Sequence, residues 1–469
     1  MGETEQVRRI FVTALLLGGC AVPASRPALE PVAPAQLGLA VAPTPLIDGE
    51  WWKSFNDPQL DRVVADALTG NPTLDAALAR VRQAEAVLSS RSADNGPSVT
   101  LDAQAQEARL SGRYTIPPPY AGTVRFVGTA AANLNWNLDL FGRQRAAIEG
   151  ARAGARAAVL DVTAARLALA GSVAQTYVEL ARAETVAAIA RRTIATRERS
   201  LRLVQARERN KLGTRLDTTA AQTILAQART ALTRAEGQRA VAANALAALA
   251  GRGPDYAATL APVTMRFDAG LPVPAGVPAD LLSRRADIAA ALARIDAAAA
   301  GRQVARRAFY PNINLAALAG FQAVGIGNLF NLDSGTVGAG PALHLPIFDN
   351  GRLKADLAGA TAALDLATAD YNDRVVGAVR EVADAVALVG NLGEQRQRQR
   401  DVLTGLAETN RLNNIRVASG LESRLGLIDT DVRQLDAELA DANLAADQAR
   451  QRVALVLALG GGFTSGAQQ

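Results

Sequence analysis

The sequence contains 469 residues, of which 49% are hydrophobic but only 4% aromatic, and its formal net charge is +5. Alanine supplies much of the apolar content, a composition that favours long, closely packed helices over an aromatic-rich enzyme core. Basic and acidic residues are mixed along the chain as a whole, so we predict no nucleic-acid partner. A single cysteine, Cys20, and a single histidine, His344, exclude an internal disulfide, a Cys/His metal cluster and any catalytic triad that requires histidine.

The first twenty residues have the plan of a secretory signal peptide. Arg8 and Arg9 precede an apolar run at 10–17, which is too short to span a bilayer as a helix. The segment Leu17-Gly18-Gly19-Cys20 resembles a bacterial lipobox, in which the cysteine is lipidated and becomes the new N-terminus. We therefore predict a lipoprotein signal peptide at 1–19 and a covalent lipid on Cys20. An ordinary signal peptide with a chance cysteine is the alternative.

Residues 20–48 contain six prolines and predict an extended tether behind the lipid. By resemblance to lipoprotein sorting, Ala21 after the cysteine suits the outer membrane.

The rest of the chain is an internal repeat. Leu74–Ala84 matches Ile288–Ala298 at an offset of 214, and Thr214-Arg215-Leu216 matches Ser423-Arg424-Leu425 at an offset of 209. The order of matches is kept, and the offset changes only in predicted loops. The predicted boundaries are repeat 1 at 49–260, a linker at 261–276, repeat 2 at 277–460 and a flexible tail at 461–469.

Each repeat contains a hairpin of strands, at about 98–140 and about 311–347. Apolar residues alternate with polar ones there, as at Val99, Leu101 and Ala103, so each strand has one apolar and one wet face. The strands are long enough to cross a membrane, although a soluble sandwich is the alternative. Four strands cannot close a barrel, and an open edge in lipid leaves backbone groups unsatisfied. Membrane strands would therefore have to be pooled between chains.

Each repeat also contains long helices, because proline is absent from Tyr120 to Gly253 and from Ile347 to Gln469. Apolar residues recur at steps of three, four or seven, as at Leu357, Leu364 and Tyr371, which predicts coiled-coil seams. A helix from Arg143 to about Glu208 would be ~100 Å long at about 1.5 Å per residue. An ordinary antiparallel stalk would fit the seams equally well; the strands and the lipid site favour a membrane-attached tube.

These features resemble the TolC-type outer membrane factors, specifically the NodT-like efflux lipoproteins, over nearly the whole mature chain. The motifs that carry the resemblance are Trp51-Trp52-x-x-Phe55-x-Asp57-Pro58-x-Leu60, Asn71-Pro72-x-Leu74, Leu281-Leu282-x-Arg284-Arg285-x-Asp287-Ile288 and Phe309-Tyr310-Pro311-x-Ile313. The resemblance implies a mixed α/β membrane protein: a homotrimer with a twelve-stranded transmembrane β-barrel continuous with a long periplasmic helical barrel. It also implies a periplasmic adaptor, an inner-membrane pump of RND type and outer-membrane lipid as partners.

By the same resemblance, two helix-turn segments, near 211–217 and 420–429, form the periplasmic tips where adaptors dock and the closed pore is narrowest. The candidate docking residues are Lys211, Leu212, Gly213, Thr214, Leu216, Gly420, Leu421, Ser423 and Leu425. The second tip keeps the family pattern. The first departs from it, because Lys211 stands where glycine is usual, and this puts the geometry of its turn in doubt.

The family often carries acidic residues one turn apart after the second tip. In this chain the first position is Gly426 and the second is Asp429, so we predict Asp429 as the pore aperture and a cation-favouring selectivity ring. Arg215, Asp217, Glu422 and Arg424 are candidates for a latch of salt bridges between neighbouring tips, or for ordinary solvated charges.

The predicted function is a passive conduit that exports small molecules from the periplasm, with no enzyme activity and no cofactor besides the lipid on Cys20. The alternative from another class is a lipid-anchored structural or adhesion scaffold without a pore.

Overall fold

The computed structural model describes residues 26–38, 47–113, 117–263, 265, 267 and 278–463. The signal peptide, Cys20, most of the linker at 261–276 and the end of the tail lie outside these residues, so the predictions made there, and the predicted domain boundaries, stay predictions. The chain divides into two compact units. The strand unit contains Arg80–Ala158 and Ala291–Tyr371, and the helical unit contains Val159–Ala290 and the chain from Asn372 onward, with 32–79.

The long helices of the two repeats match residue for residue. Apart from the one-turn helix Asp255–Ala258, the described α-helices are α1 Pro58–Gly70, α2 Pro72–Ala93, α3 Arg143–Arg209, α4 Arg215–Leu249, α5 Ala286–Arg307, α6 Arg352–Ala418 and α7 Arg424–Ala458. Helices α3 and α6 both have 67 residues, and α4 and α7 both have 35. Every bound of α6 and α7 lies 209 residues after the corresponding bound of α3 and α4. The predicted repeat and the predicted long helix are thus confirmed.

Helix α3 is also long and apolar enough to cross a membrane, with 44% of its most apolar window buried. That is weak evidence for a span, because core helices pass the same test.

The strand unit contains one four-stranded antiparallel sheet in the order β1-β2-β3-β4. The strands are β1 Ser98–Arg109, β2 Val124–Asn137, β3 Asn312–Val324 and β4 Gly335–His344. The two predicted hairpins therefore join through β2 and β3, whose register pairs Trp136 with Leu315. Strands β1 and β4 are the two edges, and neither has a second partner within the described chain.

The register places the predicted apolar residues on one continuous face. Val99 pairs with Leu134, Leu134 pairs with Ala317, and Ala317 pairs with Ala339. Leu101 on β1 and Val337 on β4 belong to this face and are 78% and 84% exposed. A sheet that exposes its apolar face and both edges cannot satisfy itself in water, which is consistent with the predicted membrane strands.

Strand β2 ends three residues earlier than the alternation predicts. The predicted hairpin continues to Leu140, but Asp139 adopts a left-handed conformation with φ 44°. Its carboxylate accepts the backbone N–H groups of Gln144 at 2.8 Å and Arg145 at 2.9 Å. This cap starts α3, and the orphan amides of a helix N-terminus compete successfully with continued sheet pairing. Alternation alone does not reveal that competition.

The helical unit arranges its long helices in the order α4, α3, α7, α6. Glu236 of α4 pairs with Arg191 of α3 at 2.8 Å, and Arg199 of α3 pairs with Asp431 of α7 at 3.3 Å. Asp431 also accepts the side-chain amide of Asn410 of α6 at 2.8 Å. Most predicted seam residues are buried: Leu225, Ala235, Ala242, Leu246, Leu435, Ala442, Ala446, Ala449, Val453, Val456, Val375, Val382 and Val389. Ala228, also predicted in the seam, is only half-buried.

The outer helices of this row keep apolar residues uncovered. Val241 of α4 is 69% exposed, and Ile415 of α6 is 52% exposed. Helices α3 and α7, by contrast, contribute the fully buried Val173 and Val453 to the main core. Both outer helices of the row therefore carry uncovered apolar residues, just as both outer strands of the sheet carry unpaired backbone groups.

The first family motif builds the centre of the helical core. Trp51, Trp52 and Phe55 are buried against α1, α3 and α7. Asp57 caps α1 by accepting the backbone N–H groups of Gln59 and Leu60, and it accepts the Tyr177 hydroxyl at 2.9 Å. Burial raises the pKa of Tyr177, so the phenol stays protonated and keeps donating to Asp57. The motif is thus structural.

The mid-chain motif builds a second fixed point. The Arg285 guanidinium, whose side chain is 12% exposed, donates to both oxygens of Asp287 at 3.0 and 2.8 Å and to Glu381 of α6 at 2.7 Å. It also donates to the Ala458 carbonyl at the end of α7. Desolvation alone would raise the pKa of the Asp287 carboxyl, but the hydrogen bonds and charge of Arg285 outweigh it and hold the pKa below its usual range.

We expect Arg285→Ala to lower the free energy of unfolding by about 3 kcal/mol, because it leaves the partly buried Asp287 carboxylate without its cationic partner. Arg411→Ala breaks a fully exposed, solvent-screened pair with Glu408 and should leave the free energy of unfolding almost unchanged. Thermal unfolding of the purified proteins at neutral pH measures both. Equal losses would mean that the Arg285 cluster contributes no more than a surface pair.

The same cluster predicts a pH dependence. The pKa of Asp287 is depressed in the folded chain, so its stabilisation is present above about pH 4 and is lost as the pH falls through the folded pKa. The stability gap between wild type and Asp287→Asn should therefore shrink as the pH is lowered below about 4. A gap that stays constant down to pH 2.5 would show that ionisation of Asp287 does not contribute.

Candidate docking and pore tips

The two predicted tips have the same backbone turn. At the first, Lys211 donates its N–H to the Glu208 carbonyl at 2.9 Å, and Leu212 donates to the Arg207 carbonyl at 2.8 Å. Gly420 and Leu421 make the equivalent bonds to Val417 and Arg416. Both are Schellman motifs, which close a helix through one left-handed residue. That residue is Gly420 with φ 72° in the second tip and Lys211 with φ 59° in the first.

The doubt raised by Lys211 is resolved by this geometry. A non-glycine residue at positive φ is strained, at a cost of roughly 1–2 kcal/mol, but the two hydrogen bonds of the motif offset it. Gly213, the nearby glycine, is not needed for the turn, because its φ is not positive. The family glycine is therefore replaced by lysine without a change in the turn.

A capping box starts α4 in the first tip. The Thr214 hydroxyl accepts the Asp217 N–H at 3.3 Å, and Asp217 Oδ2 accepts the Thr214 N–H at 2.9 Å. The Thr214 hydroxyl also donates to Asp217 Oδ2 at 2.8 Å. Reciprocal bonds of this kind satisfy two orphan amides at a helix N-terminus. The backbone N–H and the hydroxyl of Thr214 hold the pKa of the Asp217 carboxyl below its usual range.

The second tip satisfies the same amide from a different position. The Ser423 hydroxyl accepts the Gly426 N–H at 3.2 Å, and Glu422 Oε1 accepts the Ser423 N–H at 2.9 Å. At the offset of 209, Gly426 corresponds to Asp217 and Glu422 corresponds to Gly213. The acid and the glycine have thus exchanged places between the tips. Glu422 fills the space over Gly426, where a Cβ atom would lie 2.9 Å from Glu422 Oε1.

An arginine before each turn completes the tip. Arg207 donates to the Leu212 carbonyl at 3.2 Å, and the equivalent Arg416 pairs with Glu422 at 3.4 Å. Neither arginine was predicted from the sequence. The offset of 209 would have identified them, because they occupy the same position in both repeats.

The four latch candidates fall into two kinds. Asp217 and Glu422 are engaged in capping their own tips, as described above. Arg215 and Arg424 lie on the exposed first turns of α4 and α7, and neither forms an ion pair within the part of the chain that the structure describes. The structure does not test a latch between chains.

The predicted aperture residue is not a bare carboxylate. Asp429 lies on the exposed side of α7 and pairs with Arg433, one turn later, at 2.8 Å. Its equivalent in the first repeat is Ala220. Arg433 is a residue that the sequence analysis missed, although its spacing of four from Asp429 is the usual signal of a helical ion pair.

Exposed leucines dominate the apolar surface of the tips. Leu212, Leu216 and Leu421 are 70%, 78% and 72% exposed, whereas Leu425 is half-buried. Exposed large apolar side chains at the end of a rigid hairpin are typical of a protein interaction surface. Elsewhere, within the described ranges, no group of three or more His, Cys, Asp or Glu side chains is placed to hold a metal ion.

Comparison with known proteins identifies the family. A model of the family described as outer membrane efflux protein matches residues 63–252 and 277–461. The chain belongs to the outer membrane efflux protein family. The two matched segments correspond to the two copies of the internal repeat.

Named relatives of this family cover nearly the whole chain. OprJ, an outer membrane protein of Pseudomonas aeruginosa, is 34% identical over 97% of this chain and 96% of its own length. ArpC of Pseudomonas putida, named as an antibiotic efflux pump outer membrane protein, is 30% identical over 98% of this chain and 96% of its own.

Solved structures agree. VceC of Vibrio cholerae, an outer membrane protein, is 31% identical, covers 89% of this chain and 100% of its own, and has a TM-score of 0.81. The outer-membrane channel OprN is 27% identical, covers 94% of this chain and 99% of its own, and has a TM-score of 0.80.

The efflux protein described here is therefore the outer-membrane channel component of an efflux pump, with the TolC-like combination of membrane strands and periplasmic helices. Its relatives are channel proteins rather than enzymes. The scaffold alternative is not favoured by any of these relatives.

The exchange of acid and glycine between the tips leads to a test. Asp217→Ala should speed amide hydrogen exchange at residues 214–218, because the Thr214 N–H loses its acceptor. Adding Gly213→Glu to Asp217→Gly transplants the arrangement of the second tip and should restore slow exchange. Glu198→Ala, which removes a half-buried acid paired with Arg229, is the matched control and should leave the segment unchanged. Hydrogen-exchange mass spectrometry of this segment decides; unprotected amides in the double variant would contradict the proposed equivalence.

Proposed function

We propose that three copies of this chain form a closed conduit across the outer membrane. The support is the set of open edges: unpaired β1 and β4, an exposed apolar sheet face, and apolar residues uncovered on α4 and α6. Joining β4 of one copy to β1 of the next satisfies the edge amides, and three copies give twelve strands, above the minimum of about eight for a membrane barrel. In the same way, α6 of one copy would cover α4 of the next.

The tips are the proposed meeting place with a periplasmic adaptor, which in turn contacts an inner-membrane pump of RND type. The observation that supports this role is the exposure of Leu212, Leu216 and Leu421 on turns that are rigidly capped. The docking set is the one predicted from the sequence: Lys211, Leu212, Gly213, Thr214, Leu216, Gly420, Leu421, Ser423 and Leu425. In a closed state, Arg215 and Arg424 would reach carboxylates of neighbouring tips, each contact contributing only ~0–1 kcal/mol.

A lipid on Cys20 would add a second attachment to the outer membrane. The described part of the tether supports this role, because it is fixed to the protein: the Leu29 N–H donates to Asp365 and the Val32 N–H donates to Asn372. Both acceptors lie on α6. The conduit itself is passive in this proposal, with no catalytic residue and no cofactor other than that lipid.

Asp429 remains the proposed aperture residue, and Arg433 is proposed to compensate its negative charge. In an assembled ring, three Asp429–Arg433 pairs would present little net charge to a passing ion. Removal of Arg433 would expose three carboxylates, which favour cations in a narrow pore.

Planar-bilayer recordings of the purified protein test the conduit and the aperture together. We expect discrete conductance steps from a trimeric species, a shift toward cations in Arg433→Gln, and a shift away from cations in Asp429→Ala. Glu394→Gln, which changes an exposed acid on α6 far along the chain from the tip, is the control for a general charge effect.

Absence of current in the wild type alone is compatible with closed tips. The double variant Arg215→Ala/Arg424→Ala, which is designed to loosen the tips, is therefore recorded in parallel. Silence of that variant as well would reject the conduit. Currents with unchanged selectivity in Arg433→Gln and Asp429→Ala would keep the conduit and reject the aperture.

A further inference from the structure

The net charge of the protein is concentrated around the two tips. We define the tip layer as residues 195–224 and 404–433, and the next layer as 179–194, 225–240, 388–403 and 434–449. The tip layer contains eleven basic and seven acidic residues, a net charge of +4, whereas the next layer contains nine of each. Most of the chain's total of +5 therefore lies in the tip layer.

The excess comes from the first repeat. Residues 195–224 contain seven basic and three acidic residues, and residues 404–433 contain four of each. The second tip is thus balanced and the first is strongly basic, although the two share one backbone geometry.

The acids of the tip layer are already engaged. In the second repeat, Glu408, Glu422 and Asp429 pair with Arg411, Arg416 and Arg433. Asp431 pairs with Arg199 of α3.

The three acids of the first repeat are engaged as well. Asp217 caps α4, Glu208 accepts the Thr218 hydroxyl, and Glu198 pairs with Arg229 outside the layer. Asp217 interacts with the charge of Arg207, but none of the three acids forms an ion pair with the other basic residues of the first tip among the residues that the structure describes.

A group of cations consequently remains without a counter-charge. Arg197, Arg202, Arg209, Lys211 and Arg215 form no ion pair among the residues that the structure describes, and the last three lie within seven positions at the turn itself. Arg209, Lys211 and Arg215 are all exposed. Contacts with neighbouring chains would rearrange individual pairs, but they would not change the net charge of the layer.

We propose that this tip layer makes the periplasmic mouth selective for small anionic solutes, such as organic carboxylates, over cations. The inference rests on the proposed conduit, in which three copies place their tips around one opening and triple the charge. Fixed charges within a Debye length, about 8 Å at physiological salt, raise the local concentration of counter-ions. Asp429 does not oppose this effect, because Arg433 compensates it.

Reversal potentials in planar bilayers under a potassium chloride gradient test the proposal. The full-length protein should pass chloride in preference to potassium. Arg209→Gln, Lys211→Gln and Arg215→Gln together lower the net charge of the layer from +4 to +1, and they should reduce the chloride-to-potassium permeability ratio by at least about threefold. Raising the salt to 1 M should weaken the difference, because screening shortens to about 3 Å.

The matched control is Arg234→Gln, Arg398→Gln and Arg400→Gln, which removes three exposed arginines of the next layer that form no ion pair within the described residues. It has the same change in net charge and should shift the ratio far less. A potassium-preferring wild type, or equal shifts in the two triple variants, would overturn the proposal while leaving the conduit intact. Absence of current in every variant, including the loosened Arg215→Ala and Arg424→Ala protein, would reject the conduit and this proposal with it.

Discussion

Strands β1 and β4 each leave one row of backbone N–H and C=O groups without a partner in the described chain, and the other features of the protein are best understood from these unpaired edges. Within its described residues, one chain contributes four strands and exposes an apolar sheet face as well as the two edges. Neither water nor lipid accepts that arrangement: water disfavours the apolar face, and lipid offers no partner to the edge amides. In the helical unit, the outer helices α4 and α6 likewise expose apolar residues that no neighbouring helix covers. The fold of one chain therefore leaves surfaces that only an assembly could cover.

The sequence was sufficient for the large elements because their signals extend over many residues. Many positions support each of these signals: the period of two in the strands, the absence of proline over more than a hundred residues, and the repeat at an offset of 209. Boundaries were harder to predict. The strand that was expected to reach Leu140 ends at Asn137, because one side chain, Asp139, caps the helix that follows. Capping by one side chain cannot be detected from a periodicity that averages over the whole segment.

The tips show where sequence reasoning stops. Their location followed from the family resemblance, but the hydrogen bonds and ion pairs of their charged residues could not be predicted, because a carboxylate has the same appearance in a sequence whether it caps a helix, pairs with a cation or stands free. Asp217 and Glu422 cap, and Asp429 pairs. Of the four latch candidates, only Arg215 and Arg424 form no ion pair and no cap within the part of the chain that the structure describes. The substitution of Lys211 for glycine was also undecidable from sequence, since the strain depends on which hydrogen bonds accompany the turn.

The equal lengths of the paired helices have an evolutionary consequence. Helices of 67 and 35 residues recur without a single insertion between the repeats, although the loops and strands that separate them have changed length. An insertion of seven residues in α3 alone would carry its turn about 10 Å beyond the other, at about 1.5 Å per residue. Such an insertion would also separate the Arg199–Asp431 pair. Length changes in these helices would therefore have to occur in both repeats together to keep the two turns level.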